Sequence, residues 1–214
     1  MSDLGDMVGT QHLAVFVVSG ILLNLTPGQD TFYIVGRSVA QGRRAGVLSV
    51  LGIVSGSIIH TCAAAFGLSA ILATSARAFF VVKLVGAVYL VYLGTKMLLD
   101  RSPALAPQGT FDHESGWAIY RAGFFTNLLN PKVALFFMAF LPQFVAPAAG
   151  SRIVTYLFLG GLFIATGTIW CLVLAWSASA MSDRFRRNPS AGAMLKRATG
   201  VVFVGLGVKL AIGR

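Results

Sequence analysis

NLTPGQD, residues 24–30, places a proline, a glycine and a carboxylate inside an otherwise apolar stretch. Residues 13–23 before it are almost wholly apolar, and the chain turns apolar again from Phe32. Proline lacks the N–H that a helix interior requires, and hydrocarbon offers no other donor to the carbonyl that is left free. The motif therefore predicts a helix that stops and restarts within a membrane.

Composition indicates an integral membrane protein. Of the 214 residues, 56% are hydrophobic and 11% are charged, whereas soluble domains carry about 25% charged residues. The ten-residue alternation of a membrane β-barrel is absent, which leaves a helical bundle. The formal charge of +10 lies in short loops and does not form a basic face with interleaved aromatic residues, so no nucleic-acid partner is expected.

Apolar stretches predict six transmembrane helices, at residues 10–36, 46–70, 78–97, 117–143, 153–178 and 194–213. Most of the 17 lysines and arginines then lie on one side, in or beside the loops 37–45, 98–116 and 179–193. The positive-inside rule makes these loops cytoplasmic and predicts that both termini are periplasmic.

The chain divides into two halves of three helices, residues 1–99 and 117–214, joined by a cytoplasmic linker at 100–116. Because three is an odd number, related halves would be inverted relative to each other in the membrane. Weak internal similarity supports such a repeat. The second and fifth helices share Ser55-Gly56-Ser57 and Thr166-Gly167-Thr168.

The first and fourth helices each contain a proline preceded by a good capping residue, Thr26 before Pro27 and Asn130 before Pro131. Thr26 and Gln29 also have the spacing of a capping box. Each proline lies ten residues from a predicted cytoplasmic arginine, about 15 Å along a helix, which is near the midplane. A simple kink is the alternative for each proline, but two broken helices at matched depth are typical of a transporter's substrate site.

Two ionisable residues follow the prolines, Asp30 in the first helix and Lys132 in the fourth. Charges inside a membrane are costly and point to function. Asp30 would either receive an ammonium group or carry the proton that couples transport, and an acid that caps a helix start in a wet cavity is the structural alternative. The helix dipole disfavours a cation at Lys132. We therefore expect the two residues to lie on opposite sides of one cavity, where each offsets the other.

Other candidate functional residues receive structural interpretations. His60 is expected to be a hydrogen-bonded packing histidine, and Cys62 and Cys171 small core residues. The loop residues 112–114, Asp-His-Glu, are read as a solvated surface in preference to a metal site. No nucleophile with a base and an orienting partner is recognisable, so no enzyme activity is expected.

The motifs resemble those of the lysine-exporter superfamily, in particular its homoserine/threonine-efflux (LysE/RhtB-type) branch. The resemblance covers nearly the whole chain and rests on NLTPGQD, GRSVAQGRRAG (36–46), YLVYLGTKML (89–98), YRAGFFTNLLNPKVALFF (120–137) and FLPQF (140–144). It implies a six-helix exporter of amino acids or similar metabolites in the bacterial inner membrane, driven by the proton motive force. The family motif has proline where this chain has Gln29, so the first break is expected to be less rigid here.

Residue by residue, Pro27, Gly28 and Asp30 match the first family motif, and Asn127, Asn130, Pro131 and Lys132 match the second. With Asn24 and Thr26, these residues make up the predicted substrate-binding or coupling site. The helix N-termini at Gly28 and Lys132 would attract a substrate carboxylate, while open carbonyls near Leu23 and Asn127, with the Asp30 carboxylate, would attract its ammonium group.

The predicted partners are the lipid bilayer and a small-molecule substrate, an amino acid. The expected coupling ion is a proton, and neither a cofactor nor a metal is expected. The glycine-rich second and sixth helices would permit a homodimer. Two alternatives stay open: a membrane interaction protein that transports nothing, and an exporter of a metabolite that is not an amino acid.

Overall fold

The computed structural model describes residues 9–68, 113–146 and 149–180, together with scattered helical residues within 77–99 and 201–208. This part of the chain is helical and contains no β-strand. Apart from those scattered positions, the spans predicted at 78–97 and 194–213 lie outside the described residues. Most of the predicted linker lies outside them as well.

The described helices are α1 (Leu13–Leu25), α2 (Gln29–Cys62), α3 (Gly116–Leu128), α4 (Pro131–Leu135) and α5 (Arg152–Ala180). A π-helix over Ala63–Leu68 continues α2, and a π-helix over Phe136–Phe140 and a 3-10 helix over Leu141–Phe144 continue α4. By length and composition, Gln29–Leu68 and Arg152–Ala178 can each cross a membrane. Gly116–Leu128 and Pro131–Phe144 do so only as a pair, which is bent by 46°.

Between α1 and α2, residues 26–28 are not helical, and the capping box predicted there is wrong. Thr26 ends α1: its hydroxyl donates to the Leu22 carbonyl oxygen at 2.7 Å, and its N–H donates to the carbonyl oxygens of Leu22 and Leu23. The N-cap of α2 is Gly28, which has no side chain to cap with. The threonine hydroxyl donates back to its own helix, and α2 begins two residues later than a capping box at Thr26 would require.

The loop predicted at 37–45 is far shorter in the structure, because Gly42 alone separates the two helical stretches that make up α2. This glycine has φ 78° and ψ −175°, a conformation that is strained for residues with a side chain. A single glycine therefore takes the place of the nine-residue loop that the sequence predicted. The polar residues around it lie on helix faces.

Arg37 and Glu114 join α2 to the segment before α3. The Arg37 guanidinium is buried and lies 2.7 Å from the Glu114 carboxylate, and its Nη1 atom donates to Gln41 Oε1 at 2.8 Å. The Gln41 amide in turn donates to the Glu114 main-chain oxygen. Glu114 is exposed, as the sequence predicted for this surface, but it also supplies the charge partner that the buried Arg37 requires.

Glycines bring α2 and α3 into close contact. A Cβ atom on Gly52 would overlap the Tyr120 carbonyl oxygen, and one on Gly123 would lie 2.8 Å from the Ser49 carbonyl oxygen. Small residues on α2 thus let its backbone approach that of α3 closely. This contact positions the end of α3, just before the non-helical residues 129–130, which form the second helix interruption; residues 26–28 form the first.

An aromatic core lies on the other side of that interruption. The Phe136 ring stacks on Phe163 of α5, with 4.6 Å between ring centroids, and Phe137 meets the same ring edge-on. Both residues are buried. Because aromatic burial dominates core energetics, this contact positions α4 and its first residues against α5.

Candidate functional site

A small cavity of about 40 Å³ lies where the helix interruptions meet α5. Two charged residues line it, Asp30 and Lys132. The remaining lining residues are polar (Asn24, Thr31, Ser57, Asn127, Gly167, Thr168, Cys171) or apolar (Leu23, Ile53, Val54, Val133, Phe163, Ile164). The described lining of the cavity therefore combines one acid, one base and an apolar wall.

Asp30 lies in the first turn of α2. Its carboxylate accepts hydrogen bonds from the side-chain amides of two asparagines, one at the end of α3 and one just before α4. Asn127 Nδ2 donates to Asp30 Oδ2 at 2.8 Å, and Asn130 Nδ2 donates to Asp30 Oδ1 at 3.2 Å. The N-terminal end of α2 also favours negative charge. Among the described residues, no cation contacts the Asp30 carboxylate directly.

Asn127 is fixed in turn by α2. Its Oδ1 atom accepts from Ser57 Oγ at 3.1 Å, and its main-chain oxygen lies 3.2 Å from His60 Nε2. A carbonyl oxygen only accepts, so His60 carries a proton on Nε2. His60 is hydrogen-bonded, as the sequence predicted, and it stacks on Phe137. The amide that holds Asp30 is thereby fixed in orientation.

Lys132 reaches across to the first interruption. Its Nζ atom donates to the Thr26 carbonyl oxygen at 3.1 Å and lies 3.4 Å from the Leu23 carbonyl oxygen. These carbonyls belong to the C-terminal end of α1, which carries the negative pole of the helix dipole. Lys132 and Asp30 line the same cavity, but these two described residues form no direct ion pair.

The predicted role of the free carbonyls must therefore be corrected. Leu23 and Asn127 were expected to present open carbonyl oxygens to a substrate ammonium group. Instead, the Leu23 oxygen faces the ammonium group of Lys132, and the Asn127 oxygen faces His60. Buried carbonyls rarely stay unpaired, and here side chains from distant helices supply the donors.

At the second interruption, residues 129 and 130 lie outside helix geometry and α4 begins at Pro131. Asn130 Oδ1 accepts from the Lys132 N–H at 3.0 Å, so the cap predicted for Asn130 is confirmed. The same side chain uses its Nδ2 atom on Asp30. One asparagine thus starts a helix and also holds the carboxylate.

Two asparagines of the cavity pack against glycines in the matching triplets. A Cβ atom on Gly56 would lie 2.8 Å from Asn127 Oδ1, and one on Gly167 would lie 3.1 Å from both terminal atoms of the Asn24 amide. Both terminal atoms of the Asn127 amide are hydrogen-bonded, whereas Asn24 Nδ2 is buried and has no partner among the described residues. The two amides therefore have the same packing and different hydrogen bonding.

Among the predicted site residues, Asp30, Asn127, Asn130 and Lys132 are linked by hydrogen bonds to one another or to the opposite interruption. The sequence did not identify the contributions of Ser57, Phe163, Thr168 and Cys171. Only the two small-residue triplets gave a signal near them. The side of a helix that faces a cavity depends on neighbours that are distant in the chain.

Comparison with known proteins gives a consistent set of relatives. The family model described as LysE type translocator matches residues 21–214. An uncharacterized membrane protein of Vibrio cholerae is 32% identical over 202 residues, which cover 93% of this chain and 96% of the relative. A leucine efflux protein of Klebsiella pneumoniae is 27% identical over 203 residues, covering 95% and 96%. No solved structure matches the chain.

Proposed function

Because this chain belongs to the LysE type translocator family, we propose that it is a secondary transporter that exports amino acids in exchange for protons. The match confirms the family resemblance seen in the motifs, and such translocators are not enzymes. Relatives named leucine efflux proteins support an amino-acid cargo.

One observation carries the proposal: the cavity holds an acid and a base that are not paired with each other. Asp30 is bound by two amides, and Lys132 by carbonyl oxygens of α1. An α-amino acid carries a carboxylate and an ammonium group a few ångströms apart. It can therefore contact both charges without first breaking an ion pair between them, which would cost several kcal/mol if the pair were buried.

The apolar wall favours a neutral cargo. Ile53, Val54 and Phe163 line the cavity beside the two charges. Contact with such a wall suits a branched aliphatic side chain, whereas a charged side chain would lose its hydration without gaining a partner. We therefore place neutral aliphatic amino acids first among the candidate substrates.

Proton exchange follows from the chemistry of Asp30. The carboxylate can bind a substrate ammonium group or a proton, but a protonated carboxyl group has lost the charge that attracts the ammonium group. Binding of one therefore excludes strong binding of the other. When the cavity opens to alternate sides, this exclusion makes outward movement of substrate require inward movement of a proton.

The proposed architecture is a six-helix bundle of two inverted repeats, residues 1–99 and 117–214, in the bacterial inner membrane with both termini periplasmic. Its first and fourth helices are broken at Pro27 and Pro131. The non-helical residues before α2 and α4 support this arrangement, as do the matched contacts of Asn24 with Gly167 and Asn127 with Gly56. Alternating access would arise as one repeat rocks against the other about the cavity.

Transport in proteoliposomes tests the proposal. Vesicles loaded with unlabelled amino acid are given the labelled form, over a panel that begins with leucine and includes basic and acidic amino acids, with and without an imposed pH gradient. We expect counterflow for neutral aliphatic members and a stimulation by the gradient. Asp30→Asn should abolish the response to the gradient, because an amide cannot carry the proton.

A matched control is Ile169→Ala on α5, whose side chain is 66% exposed and does not line the cavity. It should transport like the wild type. If no amino acid of the panel gives counterflow, the cargo class is wrong and the two alternatives, a protein that transports nothing or an exporter of another metabolite, gain support. If Asp30→Asn keeps its response to the pH gradient, the coupling role of Asp30 is wrong.

A further inference from the structure

The two cavity asparagines occupy corresponding places in the proposed repeats. Asn24 lies three residues before Pro27, and Asn127 lies four residues before Pro131. Each packs against the central glycine of a small-residue triplet in the opposite half: Asn24 against Gly167, and Asn127 against Gly56. Because the two amides pack in the same way, a difference in their hydrogen bonds means that the groups next to each amide differ.

Asn127 faces a carboxylate. Its Nδ2 atom donates to Asp30 at 2.8 Å, and its Oδ1 atom accepts from Ser57. Asp30 itself lies three residues after Pro27. The protein thus supplies both partners of this amide from its own chain.

Asn24 has no such carboxylate. The position three residues after Pro131 is Ala134, which cannot accept a hydrogen bond through its side chain. Within the described part of the chain, the buried Nδ2 atom of Asn24 has no partner. A buried amide without a partner costs free energy, and Asn24 lines the cavity, where a ligand can supply the acceptor.

We propose that the carboxylate of the transported amino acid binds Asn24 Nδ2, in the place that corresponds to Asp30 in the other half. This inference rests on the proposed function. The cargo supplies the acid that the second repeat lacks at position 134, so Asn24 is a specificity-determining residue for a free carboxylate.

Lys132 supplies the charge for this interaction. Its ammonium group lies at the carbonyl oxygens of Leu23 and Thr26, on either side of Asn24 in the chain, and it lines the same cavity. A carboxylate has two oxygen atoms and can accept from an amide and an ammonium group together. The substrate ammonium group is left to Asp30, which no cation of the described ranges contacts directly.

Gly167 positions the amide. A methyl group at this residue would lie 3.1 Å from Asn24 Nδ2 and 3.1 Å from Asn24 Oδ1, too close for the amide to keep its place. Gly167 is therefore a positioning residue, and it contributes no hydrogen bond of its own.

The inference defines the substrate class more narrowly than the proposed function does. Amino acids with a free carboxylate should bind well. Lactones, esters and decarboxylated amines should bind poorly, because they do not place a charged acceptor against Asn24 and Lys132. This distinction separates the zwitterion from molecules that share only its ammonium group and side chain.

Competition in the counterflow assay tests the role of Asn24. Leucine and 3-methylbutylamine, which is leucine without its carboxyl group, are compared as inhibitors of labelled leucine exchange. For the wild type, leucine should inhibit at a far lower concentration than the amine. Asn24→Leu keeps the side-chain size but removes the donor, and it should weaken leucine binding by about 10- to 100-fold while inhibition by the amine changes little.

Asn127→Leu is the matched variant in the other half. It removes a donor to Asp30, so it should weaken leucine and the amine to a similar extent and reduce the response to a pH gradient. Gly167→Ala should reproduce the Asn24→Leu pattern more weakly with the Asn24 side chain still present. This second variant provides the test if Asn24→Leu does not fold.

Two results would overturn the inference while leaving amino-acid export intact. In one, Asn24→Leu and Gly167→Ala bind leucine as the wild type does. In the other, each lowers leucine and amine binding equally. Absence of counterflow in the wild type would instead reject the proposed function, and this inference with it.

Discussion

The two helix interruptions differ in where their hydrogen-bonding partners come from. The second interruption caps itself, because Asn130 accepts from the Lys132 N–H. The first has no side-chain cap, since glycine begins α2, and its carbonyl oxygens face Lys132 from the second. In return, amides from the second interruption hold Asp30 just after the first. The two interruptions therefore depend on each other for polar partners.

This dependence has a functional consequence. Any motion that separates the two halves must break the Lys132 and Asp30 contacts together, and any ligand that replaces one contact changes the balance of the other. In the proposed transport cycle, substrate and proton binding would thus bias the relative positions of the two proposed halves through the residues that hold them together. The predictions below test the comparison, starting with the largest expected effect.

Lys132→Met should have the largest effect, because it removes the ammonium group that donates to carbonyl oxygens at the first interruption. Carbonyl oxygens of Leu23 and Thr26 would lose a partner, at a cost of about 1–3 kcal/mol for each buried group left unsatisfied. We expect a lower melting temperature in detergent and loss of amino-acid counterflow. Lys132→Arg retains the charge and should keep more stability than Met. Equal stability of wild type and Lys132→Met would show that the first interruption does not depend on the second.

Alanine at the two cavity glycines should separate stability from selectivity. Gly56→Ala would press on Asn127 and on the Phe124 carbonyl oxygen, which is 3.0 Å from the added carbon atom, and overpacking of this kind costs about 1–3 kcal/mol. Gly167→Ala would press only on the movable amide of Asn24. The first variant should therefore melt at a clearly lower temperature than the second. The reverse order would contradict the assigned contacts.

Asn130 has two roles that substitution can separate. Asn130→Ala removes the cap, which typically costs about 1 kcal/mol, and also removes a donor to Asp30. Asn130→Ser can restore the cap but is too short to replace the amide at Asp30. We expect Ser to recover thermal stability relative to Ala without recovering the pH dependence of exchange. Recovery of both would mean that Asn130 acts on Asp30 only through the helix start.

Gln29→Pro should have the smallest effect. Gln29 is the first residue of α2 and is exposed, and proline suits the first helical position because no helical partner is required there. The change restores the family residue and should leave stability unchanged or raise it by about 0.4–1 kcal/mol. Gln29→Ala should be neutral, since no capping box forms. A marked loss of stability in Gln29→Ala would instead support a capping role for the Gln29 side chain.

Sequence reasoning predicted the local features that depend on neighbouring residues. The helix start at Pro131, with Asn130 as its cap, follows from residue chemistry over a few positions. The predictions at Thr26 and Gly42 failed because competing local conformations were available there. A threonine hydroxyl can end one helix or begin the next, and a glycine can continue a helix or kink it. The surroundings decide between these states.

By itself, the sequence determined that the chain is an apolar helical protein of a translocator family, with an acid and a base beside two prolines. These properties follow from composition and short motifs. Only the tertiary structure decided which groups meet: Lys132 with the carbonyls of α1, Asp30 with Asn127 and Asn130, and Asn24 against Gly167. Contacts between helices about a hundred residues apart depend on how the helices pack and rotate, which hydrophobic patterns do not specify.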